Sequence, residues 1–171
     1  MVALEHIRIR QMNLLDVEKV VELWLDSFPF VQFMDKVTEA EKIQLAPVSY
    51  PKGCWVATNG KAILGFVITT KYDADIMCLH AIAVRREHRR QGIGTLLLKK
   101  VFAVARANGF EAIFLTTRKS NFAKNLYLKQ DYEVIAETDQ DLLLLKKVQK
   151  ITRSEYTVLQ DIRMEQKVSH R

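Results

Sequence analysis

Cysteine is scarce in this chain, with only Cys54 and Cys78 among 171 residues. Two thiols cannot build a disulfide framework, and their spacing fits no metal site. Both read as strand thiols, and no metal is expected. Long apolar runs are missing too: none approaches the roughly 18 residues a membrane helix needs. No basic segment leads into an apolar one at the start, Met1 to His6. These absences predict a cytoplasmic protein without membrane association. Internal repeats and low-complexity stretches are also lacking.

What is present describes an ordinary folded domain. Hydrophobic residues make up 49% and charged residues 27% of the chain, and the length suffices to bury a proper core. The net charge of +6 and a pI near 9.3 favour anionic partners, either nucleic acid or a phosphorylated cofactor. Arginine clusters at one place, Arg85, Arg86, Arg89 and Arg90, and no basic strand is interleaved with aromatics in the RNA-binding manner. The cofactor is therefore favoured, and no nucleic-acid partner is expected.

Periodicity supplies the elements. His6 to Arg10 alternates as a half-buried strand, and Asn13 can cap a helix whose apolar positions are Val17, Val20, Val21, Trp24 and Leu25. That helix should end by Pro29. The following segment is rich in large apolar residues, and Phe28, Phe30 and Phe33 fit either core positions or the lining of a pocket for an apolar substrate. A short helix is predicted over Thr38 to Leu45. Cys54 to Thr58 and Ala62 to Thr70 flank Asn59-Gly60, a strong hairpin signal, and a third strand runs from Ile76 to Val84. A helix follows over Thr95 to Asn108, with Leu97, Leu98, Val101, Phe102 and Ala105 on one face. Next come a strand over Ala112 to Thr117, a short helix over Phe122 to Lys129, and two strands, Tyr132 to Glu137 and Asp141 to Lys147. Beyond Lys147, residues Val148, Ile151, Leu159 and Ile162 form a stripe that predicts an amphipathic helical tail over 148–171, packed on the domain or a partner.

The chain is organised around Leu79 to Leu98: an apolar strand, an arginine-bearing turn, and Gly92 and Gly94 opening onto a helix. A helix start offers backbone amides without internal partners and partial positive charge, and it binds phosphate well. The dinucleotide fingerprint is excluded, because Leu97 holds the place of its third glycine and no single acidic ribose ligand stands out. A Walker loop is excluded because no Gly-Lys-Ser/Thr follows. Spacing alone leaves two readings open, a short phosphate cradle or a tight turn with solvated arginines.

Arg89-Arg90-Gln91-Gly92-Ile93-Gly94 resembles the Arg/Gln-x-x-Gly-x-Gly/Ala signature of the Gcn5-related N-acetyltransferase (GNAT) family, which likewise lies between a strand and a helix. A second stretch, Asn121 to Tyr132, is similar to that family's Asn-x-x-Ala-x-x-Leu-Tyr-x-Lys-x-Gly-Phe/Tyr. It departs at Asp131, where the family has glycine, although aspartate tolerates a left-handed backbone better than most residues. The order of elements over residues 6–147 is also the family's. The resemblance implies an α/β (α+β) GNAT fold over residues 1–147: a mixed, mostly antiparallel sheet of about seven strands, flanking helices, and two central parallel strands that splay apart.

It also implies acetyl-CoA as co-substrate. Its pyrophosphate would sit on the amides of Arg89, Arg90, Gln91, Gly92, Ile93, Gly94 and Thr95. The pantetheine arm would pair with Ile82, Ala83 and Val84, and Asn121 would help hold the arm near its thiol. Arg85 and Arg86 read as solvated. Tyr127, the family tyrosine, would protonate the leaving thiolate. His80 lies where the aralkylamine acetyltransferases carry a proton-relaying histidine; their second strand histidine is replaced here by Cys78. The ribosomal-protein N-terminal acetylases place a glutamate base on the next strand, where this chain has Thr116. Without the resemblance, a strand histidine such as His80 is more often a core or surface residue than a base. The expected function is transfer of acetyl from acetyl-CoA to a small-molecule or peptide amine by direct attack in a ternary complex; the alternative is a non-catalytic acyl-CoA-binding sensor. A homodimer is compatible with either.

Overall fold

Seven strands form one sheet in the order β1-β2-β3-β4-β5-β7-β6. They are β1 (Arg8–Gln11), β2 (Cys54–Thr58), β3 (Ile63–Lys71), β4 (Ile76–Val84), β5 (Ala112–Arg118), β6 (Glu133–Glu137) and β7 (Asp141–Lys147). The helices are α1 (Val17–Ser27), α2 (Phe33–Ser49), α3 (Ile93–Ala107) and α4 (Ala123–Leu128). This computed structural model describes residues 6–28 and 33–150, with side chains from residue 38 onward in the second span. The predicted tail helix lies outside the described residues from 151 on. Val148 and Gln149 are still tied to the domain, by bonds from Val148 N to Glu111 O (2.8 Å) and from Gln149 Nε2 to Gly109 O (2.8 Å).

All neighbouring strands run antiparallel except β4 and β5. β2, β3 and β4 form a meander because their connections are short, whereas α1 and α2 lie between β1 and β2; β2 and β3 join through Asn59-Gly60, where Gly60 adopts φ 88° and Asn59 Oδ1 accepts from two backbone amides. β4 and β5 are parallel because α3 crosses between them. The expected mixed, mostly antiparallel sheet is thus present.

Each face carries its own apolar cluster. Leu97, Leu98, Val101 and Ala105 of α3 bury against Leu64, Val67, Met77, Leu79, Ile113 and Leu115. On the other face, Val20, Leu23 and Trp24 of α1 and Ile43 and Ala46 of α2 cover Val56, Phe66, Ile68, Ala81 and Ala83. The α1 stripe differs from the expected one: it centres on Leu23 and leaves Leu25 40% exposed, because only one side of the helix meets the sheet. Asn13 does cap, but ahead of a short 3-10 turn, Leu14–Asp16. Asp16 completes a capping box there and forms a two-pronged ion pair with Arg10 at 2.6 and 2.7 Å.

Two helices outrun their predicted limits. α2 extends in both directions beyond Thr38 to Leu45, and Pro47 is tolerated because it falls in the final turn while Ile43 and Ala46 anchor the helix. α3 begins at Ile93, since the buried Ile93 side chain (1% exposed) is recruited into the core from the first helical position.

Candidate active site

Pairing between β4 and β5 stops early. Ile76, Met77 and Cys78 face Ala112, Ile113 and Phe114, and no further pairs follow. β5 continues to Arg118 alongside β7, whereas β4 continues to Val84 alongside β3 alone. From Leu79 to Val84, β4 therefore has no β5 partner on one edge, which is the expected splay. Ile82, Ala83 and Val84 all lie on this stretch.

The change coincides with a β-bulge. Ile68 pairs with Ala81 and Thr69 with Leu79, so His80 is the extra residue, opposed by none of β3. A bulge bends its strand and redirects a side chain, and such irregularities recur beside active sites. Here His80 is directed towards α2. Its Nε2 lies 2.7 Å from Glu39 Oε2, and Lys42 Nζ donates to the other carboxylate oxygen at 2.7 Å. Nε2 is shut off from solvent and has no other polar partner among the described residues. Its contact with Glu39 is close enough for an ion pair but is not aligned as a hydrogen bond. The adjacent His80 ring is the first cause, and Lys42 a further one, that holds the Glu39 carboxyl down at about 2 despite partial burial.

Glu39 was not singled out from sequence, where it is one of several charges on a predicted helix. A signal existed only in its i, i+3 pairing with Lys42; the contact with His80 spans two elements distant in sequence. Cys78 lies close enough to Glu39 to feel its charge, and burial pushes its thiol up to about 12. Burial raises Cys54 similarly, to about 12, so both thiols are neutral near neutral pH.

Beyond β4 the chain turns sharply. Arg85 is not merely solvated: its backbone amide donates to Leu64 O (2.8 Å) and its Nε to Ile63 O (2.7 Å), fastening the turn to β3. Arg86 is exposed in a one-turn 3-10 helix, Arg86–His88. Arg89 Nε donates to Val84 O at 2.9 Å, so part of its guanidinium serves the turn while the residue stays exposed. Arg90 and Gly92 both take left-handed backbones, φ 59° and 82°. Glycine accepts that conformation freely, whereas for Arg90 it is strained. Gln91 between them donates from Nε2 to Glu87 O at 3.2 Å.

This pair of turns aims the start of α3. Its first closing bond runs from Leu96 N to Gly92 O (3.0 Å), and no side chain caps it. The amides of Ile93, Gly94 and Thr95 thus have no partner within the helix, an anion-binding arrangement. Gly94 has a second use: a β-carbon there would come within 2.9 Å of Leu126 Cδ2, so its smallness lets α4 pack against α3.

Asn121 joins β5 to α4. Its Oδ1 accepts from Ala123 N (2.9 Å) and its Nδ2 donates to Thr117 Oγ1 (3.2 Å). Tyr127 of α4 is 5% exposed within the cluster that holds Leu79 and Ile93, edge-on to Tyr132 at 5.8 Å between ring centres. Burial raises its hydroxyl further above its ordinary range and keeps it protonated. Asp131, at the departure from the resembled motif, takes φ 60°, so the turn is made without glycine. Tyr127 and His80 belong to opposite faces of the sheet, the first packed on the α3 side and the second meeting α2. Of the three phenylalanines, Phe28 stacks on Trp24 at 5.7 Å and packs against the α1–α2 cluster. Phe30 lies outside the described residues, as does the side chain of Phe33. Among the described residues, no group of three His, Cys, Asp or Glu is placed to hold a metal, and no helix is long and apolar enough to cross a membrane.

Comparison with known proteins places this geometry. The sequence matches the acetyltransferase (GNAT) family over residues 17–132. No curated protein matches it significantly. Similar solved structures include Ard1 from Thermoplasma volcanium, at 18% identity and TM-score 0.71 over 85% of this chain and 99% of that one. The PaiA N-acetyltransferase from Thermoplasma acidophilum, in complex with coenzyme A, is 19% identical with TM-score 0.71 over 82% of this chain and 98% of its own. The ribosomal-protein-S18-alanine N-acetyltransferase from Escherichia coli is 19% identical with TM-score 0.69, covering 86% and 97% respectively.

Proposed function

This chain belongs to the acetyltransferase (GNAT) family, and from that premise we propose that it transfers acetyl from acetyl-CoA to a primary amine by direct attack in a ternary complex. One observation carries the reading. The free edge of β4, the His80 bulge and the uncapped start of α3 all fall between Leu79 and Thr95.

The residues present fit the co-substrate. The unpartnered amides of Ile93, Gly94 and Thr95, with Gln91, Gly92 and the charges of Arg89 and Arg90, suit a pyrophosphate. The edge at Ile82, Ala83 and Val84, which no strand takes up and where Arg89 Nε occupies the Val84 carbonyl, suits the amides of a pantetheine arm, and Asn121 borders the same opening from β5. When bound, acetyl-CoA supplies an activated thioester carbonyl and a thiolate leaving group.

The chain's own work is to move protons and stabilise charge. An attacking amine must be neutral, and most free amines are protonated at neutral pH, so a base is needed. His80 takes that proton, directly or through water. Tyr127, protonated and buried, donates to the departing sulfur, and a backbone amide near Ile82 polarises the carbonyl. Neither cysteine supports an acyl-enzyme route, since both thiols are held neutral by burial. The aromatic residues Phe28, Phe30 and Phe33 after α1 favour an apolar or aromatic acceptor, Phe28 itself packing against the α1–α2 cluster.

The test is free-thiol release from acetyl-CoA across aromatic, aliphatic, polyamine and peptide amines. Amine-dependent release, abolished in Tyr127→Phe while acetyl-CoA binding persists, is the expected result. Tight acetyl-CoA binding with no release for any amine would overturn the transferase reading and leave a sensor.

A further inference from the structure

We propose that Glu39 is a positioning residue for His80, holding the ring proton on Nε2 so that Nδ1 is the nitrogen presented to the acceptor amine. The inference rests on the transferase reading above, and it adds which nitrogen acts and which residue of α2 sets it.

Nε2 cannot itself meet a substrate. It is closed to solvent, and among the described residues the polar group it meets is the Glu39 carboxylate, 2.7 Å away. At that separation a bare Nε2 lone pair would be repelled by the carboxylate charge, whereas an N–H dipole is attracted to it even without a straight hydrogen bond. Glu39 is ionised at neutral pH, held so by the His80 ring and by Lys42. The ring proton is therefore favoured on Nε2, and a neutral imidazole protonated at Nε2 has its lone pair at Nδ1.

The arrangement is fixed from both sides. The bulge gives His80 no partner in β3 and directs its side chain out of the ladder. Lys42, one turn along α2, ties down the other carboxylate oxygen at 2.7 Å, so Glu39 is held in place rather than free to follow the ring. The side chains of Glu39 and His80 are only 27% and 23% exposed, which limits competition from water. Carboxylates that orient a catalytic imidazole act in this way in unrelated active sites, where the amide variant loses rate because the wrong tautomer forms. As the amine is deprotonated, its proton passes to Nδ1, and the resulting imidazolium faces the Glu39 charge across Nε2.

Nitrogen NMR of the His80 ring and steady-state kinetics test this together. At alkaline pH, wild-type protein is expected to show the Nε2-protonated tautomer, and Glu39→Gln a mixture or the Nδ1-protonated form. Glu39→Gln is expected to lower kcat at least about tenfold with the KM for acetyl-CoA unchanged, and to have no further effect once His80→Ala is present. An Nδ1-protonated ring in wild type would overturn the proposal. So would an equal loss of rate from Glu39→Gln with and without His80, because Glu39 would then act independently of the ring. Absence of turnover in wild type would instead overturn the transferase reading, while the nitrogen spectra still decide the pairing.

Discussion

The two halves of β4 are built from similar residues and do different work. Met77 and Cys78 are paired on both edges, Ile76 pairs with Ala112 of β5, and Met77 is wholly buried. Leu79 to Val84 retain β3 on one edge only, and the bulge at His80 marks where the change occurs. Both halves are mostly apolar, the upper one alternating in burial and the lower one burying both Ile76 and Met77, so apolar composition alone does not mark where the pairing changes. What differs is the neighbour: β5 diverges from β4 and keeps its pairing with β7. A strand that loses one neighbour exposes unpaired backbone groups, normally a liability, and in the proposed function that edge takes up a ligand's amides.

The comparison predicts that substitutions in the upper half remove activity and those in the lower half remove stability. The largest effect belongs to the site: Tyr127→Phe and His80→Ala should each lower kcat/KM by ~10²–10⁴-fold, with the thermal midpoint little changed, as measured by thiol release and melting. In the lower half, Met77→Ala should cost about 2–5 kcal/mol of stability in urea unfolding. Its turnover per folded molecule should be nearly normal, and a specific loss of activity would break the comparison.

Acid probes the contact that links the bulge to α2. The Glu39 carboxyl is depressed from 4.5 to about 2, so its contribution to stability is full above the unfolded value and is lost as pH falls from about 4.5 towards 2. At the depressed value given, the contribution is roughly 3 kcal/mol at most, and Glu39→Gln should remove that part of the pH dependence in unfolding measured across the window. Gly92→Ala comes next, since a left-handed backbone costs an alanine about 1–2 kcal/mol. Titration should show weaker acetyl-CoA binding in this variant, with the buried core intact. The smallest effect is expected at Phe122, which is 84% exposed on the turn into α4. Phe122→Ser should change stability by less than about 0.5 kcal/mol, and a large loss of acetyl-CoA affinity there would show that the site extends beyond the splay.

Local chemistry decided much of this protein. The β-rich run Cys54 to Thr58, the Asn59-Gly60 hairpin, and the limits of the strands at Ile76 to Val84 and Asp141 to Lys147 follow from residue type and turn residues, and they reappear with those boundaries. The glycine-bearing turn before α3 was legible for the same reason: φ above zero and a helix start are properties of a few adjacent residues. The left-handed Asp131 was similarly foreseeable from its residue type. The family signature in Arg89 to Gly94 and Asn121 to Tyr132 carried the topology, including the parallel pair that periodicity alone leaves undefined.

Other features needed the chain to be folded. Arg85 and Arg89 are equivalent as sequence, yet one fastens to Ile63 and the other to Val84, because which carbonyl lies within reach depends on how β3 and β4 pair. The extension of α2 past Leu45 comes from Ile43 and Ala46 finding the sheet, which outweighs the local penalty of Pro47. Glu39 is the clearest case. Its meaning depends on a one-residue bulge in a strand some forty positions away, and a bulge is a property of two strands in register, not of either alone. Sequence determined that there would be a strand, a histidine and a glycine turn; only the packed sheet decided which edge stayed open and which carboxylate the histidine would face.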